Sequence, residues 1–255
     1  MLCNGQAMDD GQVVLDADDE GFLLGRSAFE TLRSYGGGLF ALDTHLERLS
    51  ASCLSLGIGM PNEKVVAREL LLAASKVDGD AAVRVTLTAS GARIVRAGPL
   101  PEVPDPFRCA TREFVPPPWL DGTVKHTSRA FSRLAVVQAG VDEVIWVDAG
   151  GDMLEGTRSN VFAVKDGRLI TPPVDGRLLA GVTREALIWA AQDAGIEVRL
   201  AALPTEERYD ELYVASTLKE LTPVASLNGD PTSGEGPVGG AVLDAFYSAV
   251  DADLS

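Results

Sequence analysis

A proline-rich break near the middle of the chain constrains its fold most strongly. The segment VPPPWLDG covers residues 115–122, and it contains three consecutive prolines, which cannot continue a helix or a central strand. Different patterns of apolar residues precede and follow this segment. We therefore expect two α+β domains, with a small N-terminal domain at residues 1–115, a linker at 116–122 and a larger domain at 123–255. The cleft between two such domains is the expected functional site.

The N-terminal half predicts a hairpin, two helices and further strands. SAFETLRSY is followed by GGG and LFAL, which is typical of a β-hairpin with a glycine turn. The strand that follows at once excludes a glycine-rich nucleotide loop there. DTHLERLSASCLSLGI has its apolar residues on one face and Thr44 and Glu47 at capping-box spacing, which predicts a helix. EKVVARELLLAASKV predicts a second helix, and AAVRVTLTAS a strand.

The C-terminal half predicts helices at both ends of a strand-rich centre. A helix is expected over about residues 128–139, ahead of three or four short strands with Gly and Asp turns in DEVIWVDAGGDMLEGTRSNVFAVKDGRLITPP. VTREALIWAAQDAG and GGAVLDAFYSAV predict helices, and EVRLAAL and ELYVAST predict strands.

Composition excludes several classes of function. The net charge of −15 argues against binding to a nucleic-acid backbone. The two histidines, His45 and His126, lack metal-ligand spacing, so we expect no metal, and we expect His45 on a helix surface. The three cysteines fit reduced thiols, and no apolar run is long enough to cross a bilayer. The N-terminus lacks the pattern of a signal peptide, so we expect a cytoplasmic protein that binds no membrane.

Two side chains suggest chemistry that needs an aldehyde. Lys125 lies in TVKHTSRAFSRL, directly after the break. A lone lysine is more often a solvated amine, but a lysine that is desolvated in a cleft becomes a nucleophile that can form a Schiff base. Glu155 lies at a strand end in DMLEGTRSNVF. If a pyridine ring occupied the cleft, one carboxylate at its nitrogen would keep it protonated and make the ring an electron sink.

Two segments could bind a phosphate group. AGVTRE places Val182 and Thr183 at a predicted helix start, where N–H groups, a hydroxyl and the helix dipole favour an anion. ASTLKEL supplies two more hydroxyls, on Ser216 and Thr217. Each feature is by itself more often an ordinary helix cap. Arg48 could add a permanent positive charge.

Seven segments, spread over residues 20–226, carry a family resemblance: FLLGRSAFETLR, LDTHLERL, VKHTSRAFSRLA, GVDEV, LEGTRSNVFAVKDGRLITPP, LLAGVTRE and YVASTLKELTPV. In this order and spacing they resemble the class IV (fold type IV) aminotransferase and lyase family, which uses pyridoxal 5′-phosphate (PLP). The resemblance implies an α+β fold with a small N-terminal α/β sandwich and a larger C-terminal pseudo-barrel. It also implies a homodimer.

The resemblance also implies a role for each candidate residue. Lys125 would form the Schiff base with PLP and then carry a proton between the substrate and the cofactor in a ping-pong cycle, while Glu155 would face the pyridine nitrogen. The family holds the phosphate through the arginine of HxxRL, the two residues before the arginine of GVTR and the ST pair, which are here Arg48, Val182, Thr183, Ser216 and Thr217.

The resemblance defines the substrate less narrowly than it defines the cofactor. Branched-chain aminotransferases of this family commonly carry a tyrosine five residues after the lysine, where this chain has Ala130, and D-amino-acid aminotransferases commonly carry a tyrosine where it has Phe29. Their Arg-x-His carboxylate trap is also missing. Arg26 and Arg93 could bind the substrate carboxylate instead, with Phe29 beside the substrate.

We therefore expect an aminotransferase that moves an amino group between a small or acidic α-amino acid, preferably of the D series, and an α-keto acid. A 4-amino-4-deoxychorismate lyase, which eliminates pyruvate to leave 4-aminobenzoate, is the first alternative. A branched-chain L-amino-acid aminotransferase and a binding protein without turnover are the others.

Overall fold

The computed structural model describes residues 1–8, 12–117 and 121–255. They form two compact units. The first unit comprises residues 1–101 and 124–129 together with residue 254, and the second comprises residues 102–123 and 130–253 together with residue 255. The chain therefore enters the second unit, returns to the first for six residues around Lys125, and leaves again.

The described residues form six helices. They are α1 (Glu20–Leu23), α2 (Leu42–Leu56), α3 (Glu63–Ala74), α4 (Ala130–Ala139), α5 (Val182–Asp193) and α6 (Pro237–Leu254). None of these helices combines the length and the apolar composition that crossing a bilayer requires.

The same residues form seventeen strands in two sheets. They are β1 (Leu2–Cys3), β2 (Gln6–Ala7), β3 (Ser27–Tyr35), β4 (Gly38–Leu39), β5 (Ala81–Thr88), β6 (Arg93–Pro99), β7 (Arg108–Glu113), β8 (Glu143–Val147), β9 (Asp152–Gly156), β10 (Asn160–Lys165), β11 (Arg168–Thr171), β12 (Val198–Leu200), β13 (Leu203–Pro204), β14 (Glu211–Ser216), β15 (Glu220–Pro223), β16 (Ser226–Leu227) and β17 (Asp230–Pro231).

The first unit is an antiparallel sheet covered by two helices. Its strand order is β2-β1-β6-β5-β3-β4, and α2 and α3 pack on it. On β5 every second residue is buried, because one face of the strand lies against the helices and the other does not. Gly36 and Gly37 have positive φ angles and form the turn between β3 and β4, so the predicted glycine hairpin is confirmed.

The second unit is built on an eleven-stranded mixed sheet. Its main path runs β12-β11-β10-β9-β8-β7-β16-β17; β14 adds to β10 and pairs with β15, and β13 adds to β9. The β7–β8, β7–β16 and β11–β12 pairs are parallel, and the other pairs are antiparallel. The predicted helices correspond to α4, α5 and α6. The helix α5 packs on β14 and β12, so its N-terminus lies within this unit.

The division into units differs from the predicted boundary at residue 115. β7 belongs to the second unit because it pairs with β8 over five residues. The six residues 124–129 belong to the first unit because they bond to β3. Lys125 is thus part of the smaller unit, although we expected it in the larger one. Residues 118–120 of the predicted linker lie outside the described residues.

Candidate active site

Lys125 is fixed by its backbone on two sides. Its carbonyl accepts the N–H of Phe29 at 3.1 Å, and the neighbouring His126 forms a β-bridge with Ala28, so this segment extends along β3. On the other side, the N–H of Lys125 donates to Oγ of Ser52 on α2 at 3.0 Å. The side chain therefore starts from a rigid position, which suits a residue that must meet a ligand with defined geometry.

The ring of Phe29 has two cations next to it. Lys125 Nζ lies 5.2 Å from the ring centroid, and Cζ of Arg84 lies 3.7 Å from it. Both distances are within the range of cation–π attraction. Phe29 was predicted to line the substrate site, and it lies beside the predicted nucleophile.

Glu30 is a buried carboxylate that interacts with Arg48, His45 and Lys125. Glu30 is 1% exposed, and it accepts bonds from Arg48 Nε at 2.6 Å, from a second Arg48 nitrogen at 2.8 Å and from His45 Nδ1 at 2.8 Å. Burial alone would raise the pKa of Glu30, but the positive charges of Arg48 and Lys125 and these bonds outweigh burial and hold that pKa far below its usual value. Glu30 is therefore an anion close enough to Lys125 to interact with its charge.

His45 is the second partner of Glu30. We expected it on a helix surface, and that was wrong, because its side chain is 1% exposed. Burial lowers the pKa of His45 more than its bond to Glu30 raises it, so the ring is neutral near pH 7. Its Nδ1 carries the hydrogen, since a carboxylate can only accept. Arg48 is engaged with the same carboxylate, and its predicted phosphate contact stays a prediction.

Arg84 is a cation that no sequence motif indicates. Its Nε bonds only weakly to Oγ1 of Thr86 at 3.3 Å, and its strand neighbour on β6 is Arg96. Burial, together with the nearby charges of Arg129 and Arg96, lowers the pKa of Arg84 to about 10. The group remains charged at neutral pH, but in surroundings that disfavour its charge, so a bound anion would stabilise it.

The two arginines that we expected to bind substrate are bound to protein groups. Arg93 forms a two-point ion pair with Glu69 at 2.6 and 2.8 Å. Arg26 donates to Glu20 at 2.6 Å and to the carbonyls of Leu56 and Gly57. Their substrate role stays a prediction that this geometry weighs against, because a substrate would have to displace these partners.

In the second unit, Glu155 is tied to the segment that leads into α5. Its Oε2 accepts the N–H of Leu179 at 2.9 Å. Asn160, the strand partner of Glu155, donates from Nδ2 to the carbonyl of Leu179 at 2.9 Å. A side chain at Gly181 would collide with Asn160 Oδ1, so the close approach requires glycine. These bonds make the acid and the start of α5 one rigid arrangement.

The start of α5 has the features of an anion site. Its N-cap is Gly181, and no side chain caps this terminus. The first N–H groups of a helix have no partner within it, and the helix dipole favours negative charge there. Thr183 Oγ1 and Thr217 Oγ1 lie 3.5 Å apart, so two hydroxyls meet beside the terminus. Val182 and Thr183 are buried, and Ser216 ends the adjacent β14.

Comparison with known proteins decides the family. The family model described as amino-transferase class IV matches residues 27–227. The chain belongs to the class IV aminotransferase family. It is 33% identical to a putative branched-chain-amino-acid aminotransferase of Methanocaldococcus jannaschii, over 89% of this chain and 87% of that one. It is also 29% identical to a D-alanine aminotransferase of Staphylococcus haemolyticus, over 94% and 92% of the two chains.

Solved class IV aminotransferases share the fold. A hypothetical aminotransferase from Mycobacterium tuberculosis, in its alpha-ketoglutarate- and PMP-bound form, superimposes with a TM-score of 0.89 at 25% identity, over 98% of this chain and 97% of that one. A putative branched-chain amino acid aminotransferase from Thermotoga maritima gives 0.88 at 27% identity, over 98% and 94%. The predicted α+β fold type IV is therefore confirmed.

Class IV aminotransferases use PLP, and this chain is a PLP-dependent transaminase. The residues of the second unit fit that cofactor. The uncapped terminus of α5 and the paired hydroxyls of Thr183 and Thr217 suit a phosphate, and the fixed carboxylate of Glu155 suits a protonated pyridine nitrogen. The first unit supplies one lysine with a fixed backbone, Lys125, which suits an aldehyde.

Proposed function

We propose that the chain transfers amino groups with Lys125 as the covalent anchor of PLP and as the proton carrier. We assign Glu155 to the pyridine nitrogen, and Arg48, Val182, Thr183, Ser216 and Thr217 to the phosphate. The observation that carries the proposal is the surroundings of Lys125: its backbone is fixed by Phe29 and Ser52, and a buried anion, Glu30, lies within electrostatic range.

The chain's own groups account for each requirement of the reaction. When bound, PLP supplies an electron sink for the bond that breaks at the substrate α-carbon. With PLP bound, the Lys125 amine would take the proton from the substrate α-carbon and deliver it to the cofactor carbon that had carried the aldehyde, so one flexible side chain would serve both steps. Glu155 would place a negative charge beside the pyridine nitrogen of PLP, which must stay protonated for the ring to accept electrons. Glu30 holds Arg48 in one orientation through two parallel bonds.

We assign the substrate carboxylate to Arg84. Its guanidinium lies on the same Phe29 ring as the Lys125 ammonium, so an anion bound there would lie near the amine that acts on the α-carbon. Arg129 and Arg96 add positive charge around it. Positive charge around Arg84 favours acidic over apolar amino acids, because a second carboxylate would also be attracted.

Arg84→Gln should therefore raise KM for the amino acid by roughly 10–100-fold with a smaller change in kcat, since a charged contact is worth about 1.5–3 kcal/mol. Steady-state kinetics with the best substrate measures both constants. Arg68→Gln, an exposed arginine on α3 of the same unit, is the matched control. Arg93→Gln and Arg26→Gln test the earlier assignment: if either raises KM and Arg84→Gln does not, Arg84 is not the carboxylate ligand.

We further propose that the preferred substrates are small or acidic D-amino acids, with an α-keto acid as acceptor. The D-alanine aminotransferase relatives support this, as they align over 94% of this chain. The relative from Methanocaldococcus jannaschii favours a second candidate, the transamination of branched-chain L-amino acids. The lyase alternative is not favoured, because the relatives compared above are aminotransferases.

A panel of D- and L-amino acids separates the two candidates. Each amino acid is mixed with the holoenzyme, and the cofactor absorbance is followed through a single half-reaction. We expect D-alanine or D-glutamate to convert the cofactor faster than any L-amino acid, and an α-keto acid to restore the spectrum. Faster conversion by L-leucine, L-isoleucine or L-valine would instead establish the branched-chain activity.

We also propose that the chain is a homodimer and acts in the cytoplasm. Helix α1 and its C-cap expose three consecutive apolar side chains, Phe22, Leu23 and Leu24, at 70%, 57% and 67% of their surface, and such a patch is typical of an interaction surface. Light scattering measures the mass in solution directly, and a monomer would contradict the dimer.

The three free cysteines of the protein support its location in the cytoplasm, which is a reducing compartment. Recovery of the protein outside the cell would contradict that location.

A further inference from the structure

Glu143 is a buried carboxylate that the proposed mechanism does not use. It is the first residue of β8 and is 0% exposed. A buried charge is costly unless each oxygen is paired. Its Oε2 accepts from Lys219 Nζ at 2.7 Å, and its Oε1 accepts from Oγ1 of Thr157 and from the N–H of Arg158 at 3.1 Å. Both oxygens are therefore satisfied by groups from two different loops.

These loops carry residues assigned to the cofactor. The first loop joins β9 to β10, and it separates Glu155 from its strand partner Asn160. The second loop joins β14 to β15, and it contains Thr217 directly after Ser216. Glu143 thus connects the loop beside the predicted pyridine ligand to the loop that presents a predicted phosphate ligand.

Lys219 lies in the second loop, and both its backbone and its side chain make contacts that hold it in place. Its N–H donates to the carbonyl of Ser216 at 3.1 Å, which closes the turn around Thr217, and its own carbonyl accepts from Thr222 Oγ1 at 2.8 Å. The side chain is 12% exposed, and its Nζ lies 5.1 Å from the ring centroid of Phe107. The ammonium is therefore held in place by Glu143 and an aromatic face, and the turn is held with it.

We propose that Glu143 and Lys219 form a positioning pair that keeps the Thr217 hydroxyl beside Thr183 at the start of α5, and thereby sets the affinity for the phosphate group of the cofactor. The inference rests on the proposed phosphate role of Thr183 and Thr217. Removal of the ammonium leaves Oε2 of the buried carboxylate with only the longer ion pair to the exposed Arg158, at 3.8 Å, and the turn shifts to bring water or another donor to it.

The test compares a cofactor with and without a phosphate. Full-length protein, freed of cofactor, is titrated with PLP and with pyridoxal, and the ratio of the two affinities is taken. Lys219→Met keeps the apolar length of the side chain and should lower that ratio roughly tenfold, which corresponds to about 1.4 kcal/mol of lost binding energy at the phosphate. The affinity for pyridoxal should change by less than about twofold.

The surface offers a matched control. Lys165 forms an ion pair with Glu207 in the same unit, but its side chain is 40% exposed, and exposed pairs contribute little. Lys165→Met should leave the ratio unchanged. An equal fall of both affinities in Lys219→Met would mean that the pair only supports the fold, and it would overturn the proposal, as would an unchanged ratio.

A double-mutant cycle with Thr217→Val separates this inference from the proposed function. If Lys219 acts through Thr217, Lys219→Met has little further effect on the ratio once Thr217 is valine. If Thr217→Val alone leaves the ratio unchanged, the phosphate assignment fails. If Thr217→Val lowers the ratio but the two effects multiply independently, the phosphate assignment holds and the positioning role fails.

Folding of the variants is checked by thermal unfolding. If Lys219→Met does not accumulate as folded protein, the double variant Glu143→Gln, Lys219→Met removes both charges and so avoids an unpaired buried carboxylate. The loss of the charged link should still lower the ratio in this variant. A wild-type ratio there would contradict the proposal.

Discussion

Lys125→Ala is expected to lower the turnover number for transamination by roughly 10³-fold or more, because one amine both anchors the cofactor and moves the proton. A coupled assay of keto-acid formation measures this. Lys76→Ala is the matched control, since Lys76 is an exposed lysine of the same unit and should keep wild-type turnover.

The Lys125→Ala substitution should impair the proton transfer and not the binding of PLP. PLP should still bind to the Lys125→Ala protein through the contacts of the second unit, although without the spectrum of a covalent adduct. Added methylamine or ammonia should restore part of the turnover, because an external amine can replace the missing proton carrier. Retention of more than about a tenth of the wild-type turnover would exclude Lys125 as the proton carrier.

Glu155→Gln is expected to produce the second largest loss, roughly 10²–10³-fold in kcat, because it removes a fixed negative charge from a site where positive charge must persist. The substitution keeps the shape of the side chain, and an amide oxygen can still accept the N–H of Leu179. The measurement is kcat together with PLP affinity. The affinity should change much less than kcat.

Two further variants control this result. Glu155→Asp retains the charge but shortens the side chain, so it should fall between the wild type and Glu155→Gln. Glu206→Gln removes one exposed charge from the same unit and should have no effect. If Glu155→Gln turned over at the wild-type rate, the acid would have no role at the pyridine nitrogen.

Local periodicity was enough to predict most helices and strands, but not the units they belong to. Helix α2 was predicted from its apolar face, although the expected capping box was wrong. The helix begins at Leu42 after a left-handed Ala41, so Thr44 and Glu47 lie inside it. The predicted boundary at residue 115 differs from the division into units because β7 pairs with β8, which follows about thirty residues later in the chain, and such pairing leaves no local signal.

Sequence motifs indicate part of the candidate site, whereas packing alone identifies the rest. The predicted cofactor residues follow from short segments. Arg84 was missed because a strand arginine has no motif, yet on β5 it alternates with the buried residues Val83 and Val85, which places it on the opposite face. His45 and Arg48 are three residues apart and so share one face of α2, which could have indicated their common partner.

The most direct test of the role assigned to Lys125 is the location of the covalent bond to the cofactor. The holoenzyme is reduced with borohydride, digested and analysed by mass spectrometry. We predict one pyridoxyl phosphate adduct, on the peptide that contains Lys125, and none on the peptides that contain Lys64, Lys76, Lys165 or Lys219. An adduct on another lysine, or no adduct in a protein that still transaminates, would contradict the central assignment.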